Sequence, residues 1–169
     1  MPDGAPAQPD LGMALRRAEN RDAQDLFGLL ALCFAEYPGC FVDPHDDLAD
    51  LRTPEASFRG AGEAFWVMDD ERGRICACVA VDMPESGVAE LHRLYVRPDQ
   101  RGKGLGAALT KYVERHAREN GASRIVLWSD TRFTTAHRLY ERLGYVRIDG
   151  QRELGDISHS RELCFMKPL

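Results

Sequence analysis

Three things are scarce in this 169-residue chain: long apolar runs, an ordered set of cysteines, and basic charge. The longest apolar stretch, about Leu26–Ala35, falls well short of the roughly 20 residues that span a bilayer. No membrane partner is therefore expected. The five Cys, at 33, 40, 76, 78 and 164, are odd in number and irregularly spaced, unlike a disulfide framework. Cys76 and Cys78 form a C-x-C inside an apolar run, with no second Cys or His pair to complete a zinc set. Two apart on a strand, they are expected to share one face as small core residues, and no metal is expected. Basic side chains number 22 against 27 acidic, a net charge of -5, which argues against a nucleic-acid partner. The N-terminus lacks the basic and apolar regions of a secretory signal, so a cytoplasmic location is expected.

What is present resembles an ordinary globular protein, with 44% apolar and 29% charged residues. One core can fill this length. The expected organisation is a tail over residues 1–13, rich in Pro, Gly, Ala and Asp and read as flexible, and one domain over 14–169. The charge is uneven. Residues 1–89 carry 7 basic and 17 acidic side chains, a net of -10, whereas residues 90–169 carry 15 and 10, a net of +5. Such a split suggests two faces with different ligands.

Apolar spacing predicts the elements in order. A short strand at Ala14–Arg17 precedes a helix capped by Asp22 and carrying Leu26, Leu29, Leu30 and Cys33. Residues 43–62 are acidic and mixed, with room for a short helix. Phe65–Met68 and Ile75–Val81 read as a hairpin, Pro84 and Gly87 as the next turn, and Val88–Val96 as a strand. A helix over Lys103–Glu119 is followed by a strand at Arg124–Trp128. A helix from Thr134 or Thr135 ends at Gly144, and strands Val146–Ile148 and Glu162–Met166 finish the chain. This order calls for a mixed sheet with helices on its faces. In Val88–Val96 the apolar residues Leu91, Leu94 and Val96 break a period of two, which predicts a bulge near His92–Arg93.

The most informative segment runs from Leu94 through Gly106. A strand ends, Gly102, Gly104 and Gly106 follow at alternate positions, and a helix begins. Glycine lets a ligand approach the backbone. The first amides of a helix have no internal partner and face an anion with the positive end of the dipole. Arg101 and Lys103 add charge suited to a phosphate or pyrophosphate. The spacing fits neither the P-loop nor the dinucleotide fingerprint.

Arg101-Gly102-Lys103-Gly104-Leu105-Gly106 resembles the R-x-x-G-x-G acyl-CoA signature of the GNAT family of N-acetyltransferases. Ala136-His137-Arg138-Leu139-Tyr140-Glu141-Arg142-Leu143-Gly144-Tyr145 resembles the same family's tyrosine-bearing helix. The resemblance is clear over about residues 65–148. It implies a mixed α/β fold whose mostly antiparallel sheet is splayed between strands four and five, with acyl-CoA in the split. It implies that the amides of Gly102, Lys103, Gly104, Leu105, Gly106 and Ala107 hold the pyrophosphate. The end of the preceding strand, Leu94, Tyr95 and Val96, is then to pair with the pantetheine arm and polarise the thioester. The cosubstrate implied is acetyl-CoA.

The chemistry requires a neutral amine and a protonated leaving thiol. Tyr140 matches the family's proton donor. Glu90 matches the Glu that serves as base in histone-acetylating relatives, and His92 is a second candidate, with water chains a third. One departure is Phe133, where the family often has a cofactor-contacting Asn seven residues before the tyrosine. The acceptor is expected at residues around Tyr37–Asp50, Glu90 and His92, and near Asp156–Glu162. Asp43, His45, Asp46, Asp47, Asp156, Ser158, His159 and Glu162 make that region polar and largely acidic, so a cationic amine is expected. The reading is an N-acetyltransferase acting on a primary amine of a small molecule or peptide by direct attack in a ternary complex. The alternative is a non-catalytic acyl-CoA sensor on the same fold. Relatives commonly dimerise, so a homodimer is compatible with this reading.

Overall fold

A computed structural model of the chain describes residues 14–43 and 48–169. The tail expected at 1–13, and His45, Asp46 and Asp47 of the expected acceptor region, lie outside the described residues. Seven strands form one sheet in the order β1-β2-β3-β4-β5-β7-β6. They are β1 (Leu15–Arg17), β2 (Ala64–Asp69), β3 (Ile75–Glu85), β4 (Val88–Val96), β5 (Arg124–Asp130), β6 (Val146–Glu153) and β7 (Arg161–Pro168). The helices are α1 (Ala23–Phe34), α2 (Pro54–Ser57), α3 (Leu105–Glu119) and α4 (Thr134–Arg142). Every pairing is antiparallel except β4 with β5, which are joined through α3.

Two apolar clusters flank the sheet. On one face Leu109, Val113 and Ala117 of α3 pack with Val79, Val81, Leu91, Ile125 and Leu127. On the other, Leu26, Leu29, Leu30 and Cys33 of α1 pack with Phe65, Val67, Cys78 and Ala80. The spacing of three and four on each helix makes one buried stripe. The alternation along β2–β4 divides those strands between the two faces.

The order of elements agrees with the sequence pattern, and several local details differ. Asp22 does not cap α1. Its carboxylate turns back to the Glu19 N–H at 2.8 Å and to the Arg16 guanidinium, closing a capping box on the preceding turn. Helix α3 begins at Leu105 rather than Lys103, because Gly104 is left-handed at φ 77°. Neither Thr134 nor Thr135 caps α4; Phe133 holds the cap position. Strand β3 runs through Pro84 to Glu85. Its pairing with β4 is irregular between Asp82 and Glu85, so the missing proline N–H breaks no regular ladder. Cys76 and Cys78 do not share a face. The register of β3 slips by one residue at Cys76, where Met68 pairs with Ala77 and Asp69 with Ile75. Cys76 consequently packs under α3 and Cys78 under α1.

Two features of β4 position the site. Its pairing with β5 stops at Leu91↔Leu127, while its pairing with β3 continues to Ala77↔Val96. The two parallel strands therefore part after Leu91. Between Cys78↔Tyr95 and Ala80↔His92, β4 holds one residue more than β3. That residue is at Arg93, whose φ is 52°, so the bulge expected near His92–Arg93 is present. A left-handed Arg costs about 1–3 kcal/mol. The surroundings hold it there: its guanidinium is bidentate on Asp50, at 3.0 and 2.8 Å, and its carbonyl accepts the Cys78 thiol at 3.1 Å.

Candidate active site

A cleft of about 330 Å³ opens where β4 and β5 part. The strand end Leu94, Tyr95 and Val96 forms one wall, and Arg101, Gly102 and Gly104 form the loop. Leu105, Gly106 and Ala107 open α3, and Tyr140 of α4 faces them. Of the residues expected to hold the cosubstrate, Lys103 alone is not in the wall. It is exposed, and its amine donates to Gln100 Oε1 at 2.9 Å.

The glycines act in two ways. Gly102 and Gly104 have φ of 76° and 77°, and a Cβ on either would meet nothing within 4 Å. The backbone there is both left-handed and open to a ligand. Gly106 has helical geometry, but a Cβ on it would stand 3.1 Å from Leu139 Cδ2. It lets α4 approach α3 and carry Tyr140 into the cleft. The first bond of α3 is Ala108 N–H to Gly104 O, which leaves the earlier amides as the orphan donors of a helix start. Open space, orphan amides and the dipole's positive end fit a pyrophosphate.

Arg101 has a second use. Its Nε–H donates to Val96 O at 3.0 Å, and its guanidinium pairs with Glu36. It thereby ties the segment after α1 to the end of β4. Three aromatic rings line the cleft that sequence reasoning did not gather. Phe133 packs on Tyr37 at 4.8 Å and on Phe34 at 5.9 Å between centroids, so the position where the family often has Asn is an apolar wall. The C-terminal end of α1 and the loop before α4 meet only in the tertiary fold, and no local signal links them.

Tyr140 is buried, and that burial pushes its phenol well above the usual range. It is a protonated group at any neutral pH, as a donor must be. Glu90 and His92 stand before the bulge, outside the cleft wall. Glu90 is half-buried, and desolvation raises its pKa, with His92 opposing and Asp82 reinforcing the shift. His92 Nε2 lies 3.0 Å from Asp82 Oδ2 and 3.7 Å from Glu90 Oε1. Among the described residues, these three form the one group of acids and imidazole with donor atoms within 4.8 Å of each other. The His92–Asp82 hydrogen bond and the pairing of Asp82 with Glu90 across the strands account for that closeness.

The expected acceptor side is closed by polar bonds. Phe41 N–H donates to Ser158 Oγ at 2.8 Å, and Ser158 donates back to Phe41 O at 3.1 Å. This fastens the segment after α1 to the β6–β7 loop. Several of the described acidic groups there already have partners. Asp50 pairs with Arg93, Glu162 with Arg152, and buried Asp156 accepts from the Ser160 amide and hydroxyl. Asp130 and Arg132 form a further pair that reaches Ser160. Among the described residues, Asp50 and Glu162 are thus offset by arginines, and Asp82 and Glu90 stand as acidic groups beside the split.

Comparison with known proteins agrees with this geometry. The chain is 31% identical over 150 residues to the N-acetyltransferase YjgM of Escherichia coli K12, itself uncharacterized, covering 86% of each. It is 31% identical over 150 residues to a mycothiol acetyltransferase of Thermobispora bispora, covering 85% of this chain but 49% of that relative. The chain thus spans about half the length of that relative. In structure it is similar to a GNAT superfamily phosphinothricin acetyltransferase from Sinorhizobium meliloti solved in complex with acetyl-CoA. That match has a TM-score of 0.69 at 19% identity, covering 93% of this chain and 88% of the other. Among the described residues no helix is long and apolar enough to cross a membrane. The model of the acetyltransferase (GNAT) family matches residues 23–145, and with the splayed sheet, the glycine loop and the tyrosine helix in place, the chain belongs to the GNAT family of acetyltransferases.

Proposed function

We propose that the protein transfers an acetyl group from acetyl-CoA to a primary amine of a small molecule or peptide, by direct attack in a ternary complex. The observation that carries this is the cleft itself, where an anion-binding helix start, a free strand edge and a buried tyrosine converge at the parting of β4 and β5. The amides of Gly102 to Ala107 would bind the pyrophosphate, and the edge of β4 at Leu94, Tyr95 and Val96 would align the pantetheine arm and polarise the thioester carbonyl. Glu90 takes a proton from the acceptor ammonium, with His92 beside it. The amine nitrogen then bonds to the carbonyl carbon, the carbon–sulfur bond breaks, Tyr140 gives its phenolic proton to the departing sulfur, and the second proton, shed by the nitrogen as it becomes an amide, restores the Tyr140 phenol by way of solvent. An amide and free CoA result.

The acceptor is an amine drawn to the carboxylates at the split. A cationic group is consistent with Asp82 and Glu90 there, while Asp50 and Glu162 nearby are paired with arginines. The test is to incubate the protein with acetyl-CoA and a panel of amines that differ in charge, following free-thiol release. Amine-dependent release is expected, fastest with acceptors that are cationic or lack a carboxylate. Tight acetyl-CoA binding without release for any amine would favour the sensor reading instead.

A further inference from the structure

Asp82 and Glu90 are direct partners in the β3–β4 ladder, and their side chains share a face with that of His92. Like charges directly opposite each other across a sheet are destabilising. Here His92 answers that repulsion, with one nitrogen, Nε2, turned to both carboxylates. A ring nitrogen 3.0 Å from a carboxylate carries the proton and donates it. Asp82 Oδ1 is buried and has no hydrogen-bond partner, so Oδ2 carries the whole contact. Two further charges act on Glu90, Arg152 of β6 and Glu162 of β7. They bond each other at 2.6 Å and largely cancel. Phe58, after α2, sits beside the His92 ring at 6.4 Å between centroids.

We propose that Asp82 is a positioning residue of the acyl transfer: it fixes His92 beside Glu90, so that the acceptor's proton is held and released by an Asp82–His92–Glu90 cluster rather than by Glu90 alone. This rests on the reading of Glu90 as proton acceptor. Exposure sets the direction of release. The Glu90 side chain is 15% exposed, whereas those of His92 and Asp82 are 29% and 33% exposed. The Nε2 proton stays on the ring, bonded to Asp82 Oδ2, and the proton that Glu90 Oε1 takes up leaves to water on this more exposed side, so that Glu90 is again a carboxylate.

The test compares Asp82→Asn, Asp82→Glu, His92→Gln and Glu90→Gln by pH profiles of kcat/KM, with thermal unfolding as the check on folding. Asp82→Asn is expected to lower kcat about tenfold with KM for acetyl-CoA unchanged. It should also move the acid limb to lower pH by about half a unit or more, because a like charge opposite Glu90 is gone. His92→Gln should move that limb to higher pH. Asp82→Glu should recover part of the rate, which a packing defect would not allow. An Asp82→Asn enzyme with the parent's kcat and profile overturns the proposal. So does a rate loss with no shift of the limb and no rescue by Asp82→Glu. If Glu90→Gln keeps the parent's acid limb, the base assignment fails first, whatever Asp82 does.

Discussion

The two sides of the split are built from different material. The side proposed for the cofactor is mostly main chain: left-handed glycines, first-turn amides, and the edge of a strand that has lost its neighbour. Its side chains are mostly apolar or aromatic, and they come from segments at the ends of α1, β4 and α4. The side proposed for the acceptor is mostly charged side chain, assembled from β3, β4, β6, β7 and the turn before α2. Backbone sites tolerate little change in conformation and much change in neighbouring charge. Side-chain sites show the opposite sensitivity.

Six substitutions sharpen that contrast. The largest effect is expected at Tyr140, the side chain on the cofactor side assigned to chemistry. Tyr140→Phe should lower kcat about 100-fold with little change in KM for acetyl-CoA, as steady-state kinetics will show. An active Tyr140→Phe enzyme would make the cofactor side purely a binding surface.

Next is Glu90, whose raised pKa sets the pH response. A base works when deprotonated, so activity should fall as pH drops through a value above the ordinary Glu range of about 4.3. Glu90→Gln should lower kcat/KM about tenfold and remove that limb. A limb that persists would assign the proton to His92 or water.

Backbone dependence is tested at Gly104, where an added Cβ meets no atom but φ is 77°. Gly104→Ala should cost about 1–2 kcal/mol of stability, read from denaturant unfolding, and weaken acetyl-CoA binding by distorting the start of α3. Gly106→Ala is expected to cost less, since the atom it meets is the end of the Leu139 side chain.

The smallest effects separate the two loop cations. Arg101→Ala removes the bonds to Val96 O and Glu36 and should raise KM for acetyl-CoA several-fold through the displaced end of β4. Lys103→Ala touches only the Gln100 contact, and a change of about twofold or less is expected. Equal effects would mean that charge, rather than anchoring of the strand end, matters in this loop.

Much of the cofactor side was legible before the structure. Gly102, Gly104 and Gly106, the start of α3 and the Tyr140 helix are local features, set by short-range backbone preference. The bulge at Arg93 was legible too, because an extra residue shifts every later side chain to the other face. The C-x-C pair misled for the same reason, since the slip at Cys76 leaves no mark in an all-apolar run. Strand β6 extends beyond the expected Val146–Ile148 to Glu153, although residues 149–153 are exposed and carry no apolar alternation. Only pairing with β7 makes that extension a strand.

By itself, then, the sequence determined the glycine-rich start of α3, the tyrosine-bearing helix and the order of elements, all of which depend on residues within about a turn or a strand of one another. The tertiary structure decided which charges remain at the split. Asp50, Asp156 and Glu162 are taken up by Arg93, Ser160 and Arg152, while Asp82 is set against Glu90 and bonded to His92. Those pairings are fixed by strand register and loop docking, and a charge acts on its neighbours in space rather than in sequence.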